Sequence, residues 1–343
     1  MPELDRLRAA HQYADAYYQA QLARTRAGPA LAYLRSRGIP PALARSAPWR
    51  LGYAPPARTG LTEQLRACGF TDDELVGAGL AVVPSGGRQA GRTIDAFRNR
   101  LMFPIRGAGG AAVAFVGRDL SGNPSLPRYR NTKTTPIYQK SEHLYGLFEA
   151  GSTVETQTVL LVEGPADAVA LARLPAVQAR RWAAVSPCGT SVTAGQIGLL
   201  AAATRLGTAV AVCFDPDAAG ERAAIRAYQL LGDWPGPVDA IALPPATDPA
   251  ALVASRGPRR AAQVLSEARR PLLAVLVGHR IARHRMDEIE GRVAALRAAG
   301  RLLRRAADRT PRDAALLPAI GRDLGVRLGF DGVTVLESIY PRP

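Results

Sequence analysis

The sequence predicts an α+β N-terminal section, then an α/β domain on a four-stranded parallel sheet with helices on both faces, and last a C-terminal helical bundle. Three observations predict it. Residues 92–119 hold two β-rich runs joined by the Gly-rich GAGG. Residues 158–257 alternate short apolar runs with helical patterns. Beyond residue 258 only helical patterns remain. The implied divisions are 1–150, 151–257 and 258–343.

The 343 residues allow two or three domains, and a 47% hydrophobic fraction can fill their cores. A formal net charge of +15 points to a polyanionic partner, most simply nucleic acid. All the basic residues are arginine except Lys133 and Lys140, so a lysine here is not a default choice. Cys68, Cys188 and Cys213 lie far apart without CxxC spacing, which suggests neither zinc nor disulfides and fits a reducing cytoplasm. The start, MPELDRLRAA, is charged and helical rather than a secretory signal. No apolar run is long enough to span a bilayer, so no membrane association is expected.

Residues 3–26 read as one amphipathic helix, with Leu4, Leu7, Ala10, Tyr13, Tyr17 and Leu22 on or near one face. PALAYLRSRG is a second helix that stops at Gly38, and PPALARS is a short third one. RLGYAPP reads as irregular, followed by helices in LTEQLRACG and TDDELVGAG, the latter capped by Thr71. FRNRLMFPIRGAGGAAVAFVGRDL is a hairpin. Arg98, Arg100 and Arg106 differ by even steps and share a strand face if the strand is regular, a stripe suited to phosphates or to solvent. Residues 121–141 are polar and turn-rich, with Arg128, Arg130, Lys133 and Lys140 beside Tyr129 and Tyr138. This pattern suits nucleic acid or a surface linker. EHLYGLFEA reads as a short helix.

TVLLVEG, RWAAVSP, TAVAVCFDPD and PVDAIALP then read as parallel strands, each followed by a helix. Five helices are expected near 258–268, 271–285, 287–307, 311–325 and 332–339, in a stretch rich in arginine.

The chemistry gathers at the strand ends, where sites of open α/β sheets lie. Glu163 ends the first strand, and Asp215 and Asp217 end the third. Such carboxylates repel one another unless a cation holds them, and hard ions such as Mg2+ take oxygen ligands. Asp167 falls in the next helical turn, where it either stabilises the helix N-terminus or binds metal. Asp248 either caps the helix after Pro249, or binds metal, or both. Carboxylates without a His or Cys nucleophile suit metal-assisted phosphoryl chemistry. No P-loop, HExxH or nucleophile elbow is present, and His11, His143, His279 and His284 lie scattered on helical patterns.

VEGPADAVAL, SPCGTSVTAGQIGLL and CFDPDAAGERAAIRA resemble the Toprim domain of primases, topoisomerases and some nucleases. The flanks decide among these. FRNRLMFPIRGAGGAAVAFVGRDL and YRNTKTTPIYQKSEHLYGLFEA resemble the hairpin and the following segment of bacterial DnaG-type primases, as AYLRSRGI and RLGYAPP do their N-terminal subdomain. The likeness runs from about residue 12 to at least 255. It implies a catalytic core that makes RNA primers from nucleoside triphosphates on a single-stranded DNA template. By the resemblance, Glu163, Asp167, Asp215, Asp217 and Asp248 are the acidic positions, with Mg2+ or Mn2+ as cofactor. Glu163, Asp215 and Asp217 are the catalytic three. Arg98, Arg100, Arg118, Asn131 and Lys140 are the positions for nucleotide or template.

The chain departs from the pattern in four places. DPD stands for DGD, Val116 replaces a glycine, and NTKTT stands for NSPET. DPA stands for the third acidic DPD, so Ala250 removes a carboxylate. The sequence holds no zinc-ribbon cysteine set, so no zinc is expected. It is also too short for a helicase-binding domain, so a separate zinc-ribbon protein or a replicative helicase is the expected partner. A Toprim nuclease and a catalytically weak nucleic-acid-binding protein are the competing classes.

Overall fold

A computed structural model describes residues 3–24, 28–86, 90–151, 158–176, 181–189, 191–214, 217–244 and 247–340. The N-terminal helix α1 (Leu4–Arg24) is organised by a stripe at three- and four-residue spacing: Leu7, Ala10, Ala14, Tyr18 and Leu22, all at most 1% exposed. Leu4 and Tyr13 are instead 45% and 52% exposed, because a run of three-residue steps drifts off a face that repeats every 3.6. α2 (Pro29–Ser36) closes at Gly38, whose φ of +66° lets Ile39 N–H reach back to the Leu34 carbonyl at 2.8 Å. α3 (Pro41–Arg45) follows.

The stretch read as irregular contains strand β1 (Gly52–Ala54). Its three residues pair with the hairpin that comes later, a non-local partner invisible to local pattern. α4 (Gly60–Ala67) and α5 (Asp72–Gly77) come next, and Thr71 and Glu74 form a reciprocal capping box on α5. A small ribbon, β2 (Ala81–Val82) and β3 (Ile94–Asp95), leads to β4 (Arg100–Arg106) and β5 (Ala112–Asp119). These two pair antiparallel, with Arg100 opposite Asp119 and a register shift between Ile105 and Arg106. β6 (Tyr129–Asn131) arises within the polar stretch and completes a sheet of order β1-β4-β5-β6. EHLYGLFEA forms no α-helix. Gly146 adopts φ +88°, Lys140–Glu142 make one 3₁₀ turn, and Tyr145 bridges to Ser186.

The second sheet is built from β7 (Thr158–Val162), β8 (Trp182–Val185), β9 (Ala209–Cys213) and β10 (Val238–Ile241), mutually parallel. Between and after them run α6 (Pro165–Leu171), α7 (Ala194–Ala203), α8 (Ala218–Leu230) and α9 (Pro249–Glu267). A fifth strand, β11 (Arg269–Pro271), pairs antiparallel with β10, so the order is β11-β10-β9-β7-β8 rather than four strands. It was hidden because it is short and arginine-rich. Arg269 anchors it through Asp239 at 2.6 Å.

Alternate residues of the parallel strands face two cores. Leu160, Val162, Ala211, Cys213 and Ile241 pack with α6, α9 and the N-terminal section. Val159, Leu161, Val210, Val212 and Ala240 pack with α8 and the C-terminal helices. Those helices are α10 (Leu272–Ile281), α11 (Ile289–Ala307), α12 (Pro311–Leu328) and α13 (Gly332–Ile339). The stretch near 258–268 continues α9 through a kink at Gly257, φ +73°.

Candidate functional site

β7 ends at Val162, and Gly164-Pro165 starts α6 directly, which leaves Glu163 half-buried at the carboxyl edge of the sheet. Its main chain is pinned: the Ser186 hydroxyl donates to the Glu163 carbonyl at 2.7 Å and accepts from Cys188 N–H at 3.0 Å. Cys188 holds φ +59°, and its carbonyl accepts from the Asn131 amide at 3.2 Å. Burial pushes the Cys188 thiol up to about 12, so it is no nucleophile.

Glu163, Asp167 and Asp248 line one cavity of about 260 Å³, faced by Arg37, Arg118 and Arg128 and by Tyr33 and Tyr129. Asp167 is buried in the first turn of α6, where its Oδ1 accepts the Ala250 N–H at 3.1 Å. Asp248 caps α9, with Oδ1 accepting the Ala251 N–H at 2.7 Å. Arg37, in the turn after α2, reaches both: its Nη2 lies 2.7 Å from Asp248 Oδ2 and 3.9 Å from Asp167 Oδ1. Burial opposes the Arg37 charge, but Tyr33, Asp167 and Asp248 outweigh it and hold the guanidinium above its usual pKa. Its buried Nε has no hydrogen-bond partner among the described residues.

Asp217 caps α8, accepting from Ala219 and Gly220 N–H, each at 2.8 Å. It borders a different cavity of about 420 Å³, between α8, α10 and the sheet. Asp215 lies outside the described residues. Among the described residues no three of His, Cys, Asp and Glu come together as a metal-binding group. Glu163 and Asp217 are each hard oxygen donors of the kind Mg2+ takes, and they line separate cavities. Asp217 commits one oxygen to its cap and retains a second. Asp248 fits less well, since its Oδ2 already pairs with Arg37, which also approaches Asp167.

The expected basic residues divide. Arg118 lies 5.1 Å from the Tyr33 ring and 5.5 Å from the Tyr129 ring, whose hydroxyls meet at 3.2 Å, and it faces the cavity. Lys140 is half-buried, and burial lowers its pKa. Its turn is held by α7: Gln196 Nε2 donates to the Lys140 carbonyl at 3.0 Å and the Thr193 hydroxyl to the Ser141 carbonyl at 2.6 Å.

The even-spaced stripe does not exist. Asn99 at φ +49° interrupts the strand before Arg100, and Arg98 turns to donate to the Asp95 carbonyl. Arg100 is 4% exposed, donating to the carbonyls of Gly117 (2.9 Å) and Pro127 (3.1 Å), with Asp119 at 3.8 Å. Arg106, beyond the register shift, is buried between Asp15 (3.1 Å) and Glu149 (3.5 Å). Sequence reasoning missed Arg37. The available signal was its place just before the helix-stopping Gly38, inside a segment already singled out.

Two family models match: "DNA primase catalytic core, N-terminal domain" over residues 17–151 and "Toprim-like" over residues 160–253. The chain is 36% identical to a Streptomyces coelicolor DNA primase over 300 residues, 85% of this chain and 44% of that protein. It is 33% identical to the Escherichia coli K12 DNA primase over 333 residues, 95% of this chain and 53% of that protein. The chain thus spans about half the length of these curated relatives. The RNA polymerase domain of Mycobacterium tuberculosis primase DnaG, solved with a double-stranded DNA oligomer bearing a 6-nucleotide overhang, superposes with a TM-score of 0.77 at 30% identity. The match covers 96% of this chain and 99% of that one. A DnaG primase catalytic domain bound to single-stranded DNA superposes with a TM-score of 0.72 at 31% identity, covering 96% and 98%. With the hairpin sheet, the parallel sheet and the strand-end carboxylates in this order, the chain belongs to the catalytic-core family of the bacterial DnaG-type DNA primases.

Proposed function

We propose that the chain is a metal-dependent, template-directed nucleotidyltransferase that makes short RNA primers on single-stranded DNA for replication. The observation that carries this reading is its likeness to primase RNA polymerase domains over nearly its whole length, with Glu163 facing Arg118 and Arg128 in one cavity. Glu163, Asp215 and Asp217 are the proposed catalytic and metal-holding carboxylates. When bound there, Mg2+ or Mn2+ would activate the primer 3′-hydroxyl and stabilise the leaving pyrophosphate. The chain's own part is to fix the Glu163 main chain through Ser186 and to hold Asp217 at the N-cap of α8.

Arg118 is proposed to take phosphate oxygens of a nucleoside triphosphate or the template, its plane steadied by Tyr33 and Tyr129. Lys140 adds a positive charge on the turn docked against α7, and Asn131 keeps the 186–189 loop against β6. Arg98 flanks the same hairpin, and Arg100, being buried, shapes it from within. The proposed units are 1–150, 151–257 and 258–343. A cytoplasmic replication role, with a helicase or zinc-ribbon partner, belongs to the same proposal; among the described residues no helix is long and apolar enough to cross a membrane.

The test is incubation with single-stranded DNA, labelled ribonucleotides and Mg2+ or Mn2+. Template-dependent oligoribonucleotides that vanish in Glu163→Gln are expected. Their absence from the folded wild type even with a zinc-ribbon protein added in trans refutes the reading. Degradation of the DNA without nucleotides would assign a nuclease instead.

A further inference from the structure

We infer that Arg37 stands in for a second metal ion: its guanidinium occupies the place between Asp248 and Asp167, so that divalent cations bind the free protein through Glu163 rather than through these two aspartates. This rests on the metal-dependent reading above.

Four observations carry it. Arg37 Nη2 pairs with Asp248 Oδ2 at 2.7 Å and approaches Asp167 Oδ1 at 3.9 Å. One guanidinium thus supplies positive charge to both carboxylates, closest to Asp248, in a partly buried setting. Next, oxygens of the same two residues are already engaged by the backbone: Asp248 Oδ1 by Ala251 N–H at 2.7 Å and Asp167 Oδ1 by Ala250 N–H at 3.1 Å. A metal ion reaching Asp248 Oδ2 would have to displace the arginine, and the backbone bonds fix the orientation of both carboxylates.

The charge balance agrees. The cavity is lined by three carboxylates, Glu163, Asp167 and Asp248, and by three guanidinium groups, those of Arg37, Arg118 and Arg128. A divalent ion between Asp167 and Asp248 would sit against guanidinium groups of its own sign, with Arg37 nearest. Finally, Ala250 occupies the place where the resembled motif carries a further carboxylate. It is 0% exposed and packed in the core shared by α6 and α9. The side chain that would complete a second metal site is thus replaced by methyl packing, and only the backbone N–H of that residue faces Asp167.

Arg37 belongs to the N-terminal section, and the two carboxylates belong to α6 and the start of α9. The same contact also fastens the hairpin-bearing section to the parallel-sheet domain. Gly38 packs equally close: a Cβ there would meet the Ala254 backbone at 2.9 Å.

The test has two arms, each on the full chain. In the first, Mn2+ alone is titrated into the metal-free protein and followed by electron paramagnetic resonance. Asp167→Asn and Asp248→Asn are expected to bind Mn2+ within about twofold of wild type, while Glu163→Gln loses tenfold or more. Arg37→Met is expected to uncover an additional, weaker Mn2+. A tenfold loss in folded Asp167→Asn or Asp248→Asn overturns the inference. Unchanged binding in Glu163→Gln instead refutes the catalytic carboxylate assignment. In the second arm, urea unfolding in EDTA completes a double-mutant cycle of Arg37→Met with Asp248→Asn. A coupling of fivefold or more in the unfolding constant is expected. A coupling below twofold overturns the fastening role, whatever the metal arm returns.

Discussion

The Asp167 carboxylate accepts the backbone N–H of Ala250 at 3.1 Å, joining the first turn of α6 to the first turn of α9 across 83 residues of chain. Both partners are buried, so the bond is not interchangeable with water. Asp167→Ala is expected to cost about 2–3 kcal/mol, because it orphans the N–H and leaves Arg37 one carboxylate short. Asp167→Asn keeps an acceptor and is expected to cost about half as much. Urea midpoints at equal slope measure both.

Asp217 serves a helix cap and, in the proposed chemistry, a metal. The two roles separate by substitution. Asp217→Asn retains a capping oxygen and is expected to melt close to wild type, whereas Asp217→Ala is expected to lose about 1 kcal/mol. Both are expected to lose at least about 100-fold in primer synthesis. Equal activity of Asp217→Asn and wild type would remove Asp217 from the site.

Arg106 and Arg118 are both hairpin arginines with different tasks. Arg106 is buried against Asp15 and Glu149 and the carbonyls of Pro48, Trp49 and Gly110. Arg106→Met is expected to destabilise by about 3–5 kcal/mol, with no change in the salt dependence of DNA binding while folded. Arg118→Ala is expected to do the reverse: little loss of stability, and a salt slope reduced by about one. Fluorescence anisotropy across a salt series reads both.

Glu149 is held up to about 7, first by burial, with Arg106 only partly offsetting it. A carboxyl whose folded pKa is raised binds its proton more tightly in the folded state. Its contribution is complete below about 4.5 and is lost as pH rises through 7. Glu149→Gln cannot lose a proton. Relative to wild type it is therefore expected to gain roughly 3 kcal/mol between pH 4 and pH 8. Paired urea titrations at those two pH values measure the difference.

Gly146 lies where the chain crosses to the parallel sheet. At φ +88° a Cβ would stand 2.5 Å from the Ala184 carbonyl oxygen. Gly146→Ala is expected to cost about 1–3 kcal/mol. It also disturbs the Tyr145–Ser186 bridge beside the hydroxyl that pins Glu163. Loss of primer synthesis greater than the loss of folded protein, read by circular dichroism, would show the strain reaching the site.

Much was legible in the chain because it is local. Continuous apolar runs such as TVLLV and AVAVC mark strands buried on both faces, and the helical stripes and the Thr71 cap follow from spacing alone. The positions of Glu163 and Asp217 in the fold were legible because each sits where an apolar run ends and a helix begins. β1 and β11 were not, since three-residue strands owe their existence to partners far away in sequence. The arginine stripe failed for a related reason: Asn99 and the register shift after Ile105 break the two-residue period on which it relied.

By itself, then, the sequence determined the order of hairpin, parallel sheet and helices, the acid-bearing strand ends and the family resemblance, all encoded in periodicity and short motifs. Tertiary structure decided which charges meet. Arg37 finds Asp248 at 2.7 Å from 211 positions away, Arg106 vanishes into the core, and only Arg118 of the hairpin arginines turns to the cavity beside Glu163. The reason is physical: an arginine's charge is the same in any sequence, but its worth depends on the dielectric and the partners that folding puts around it.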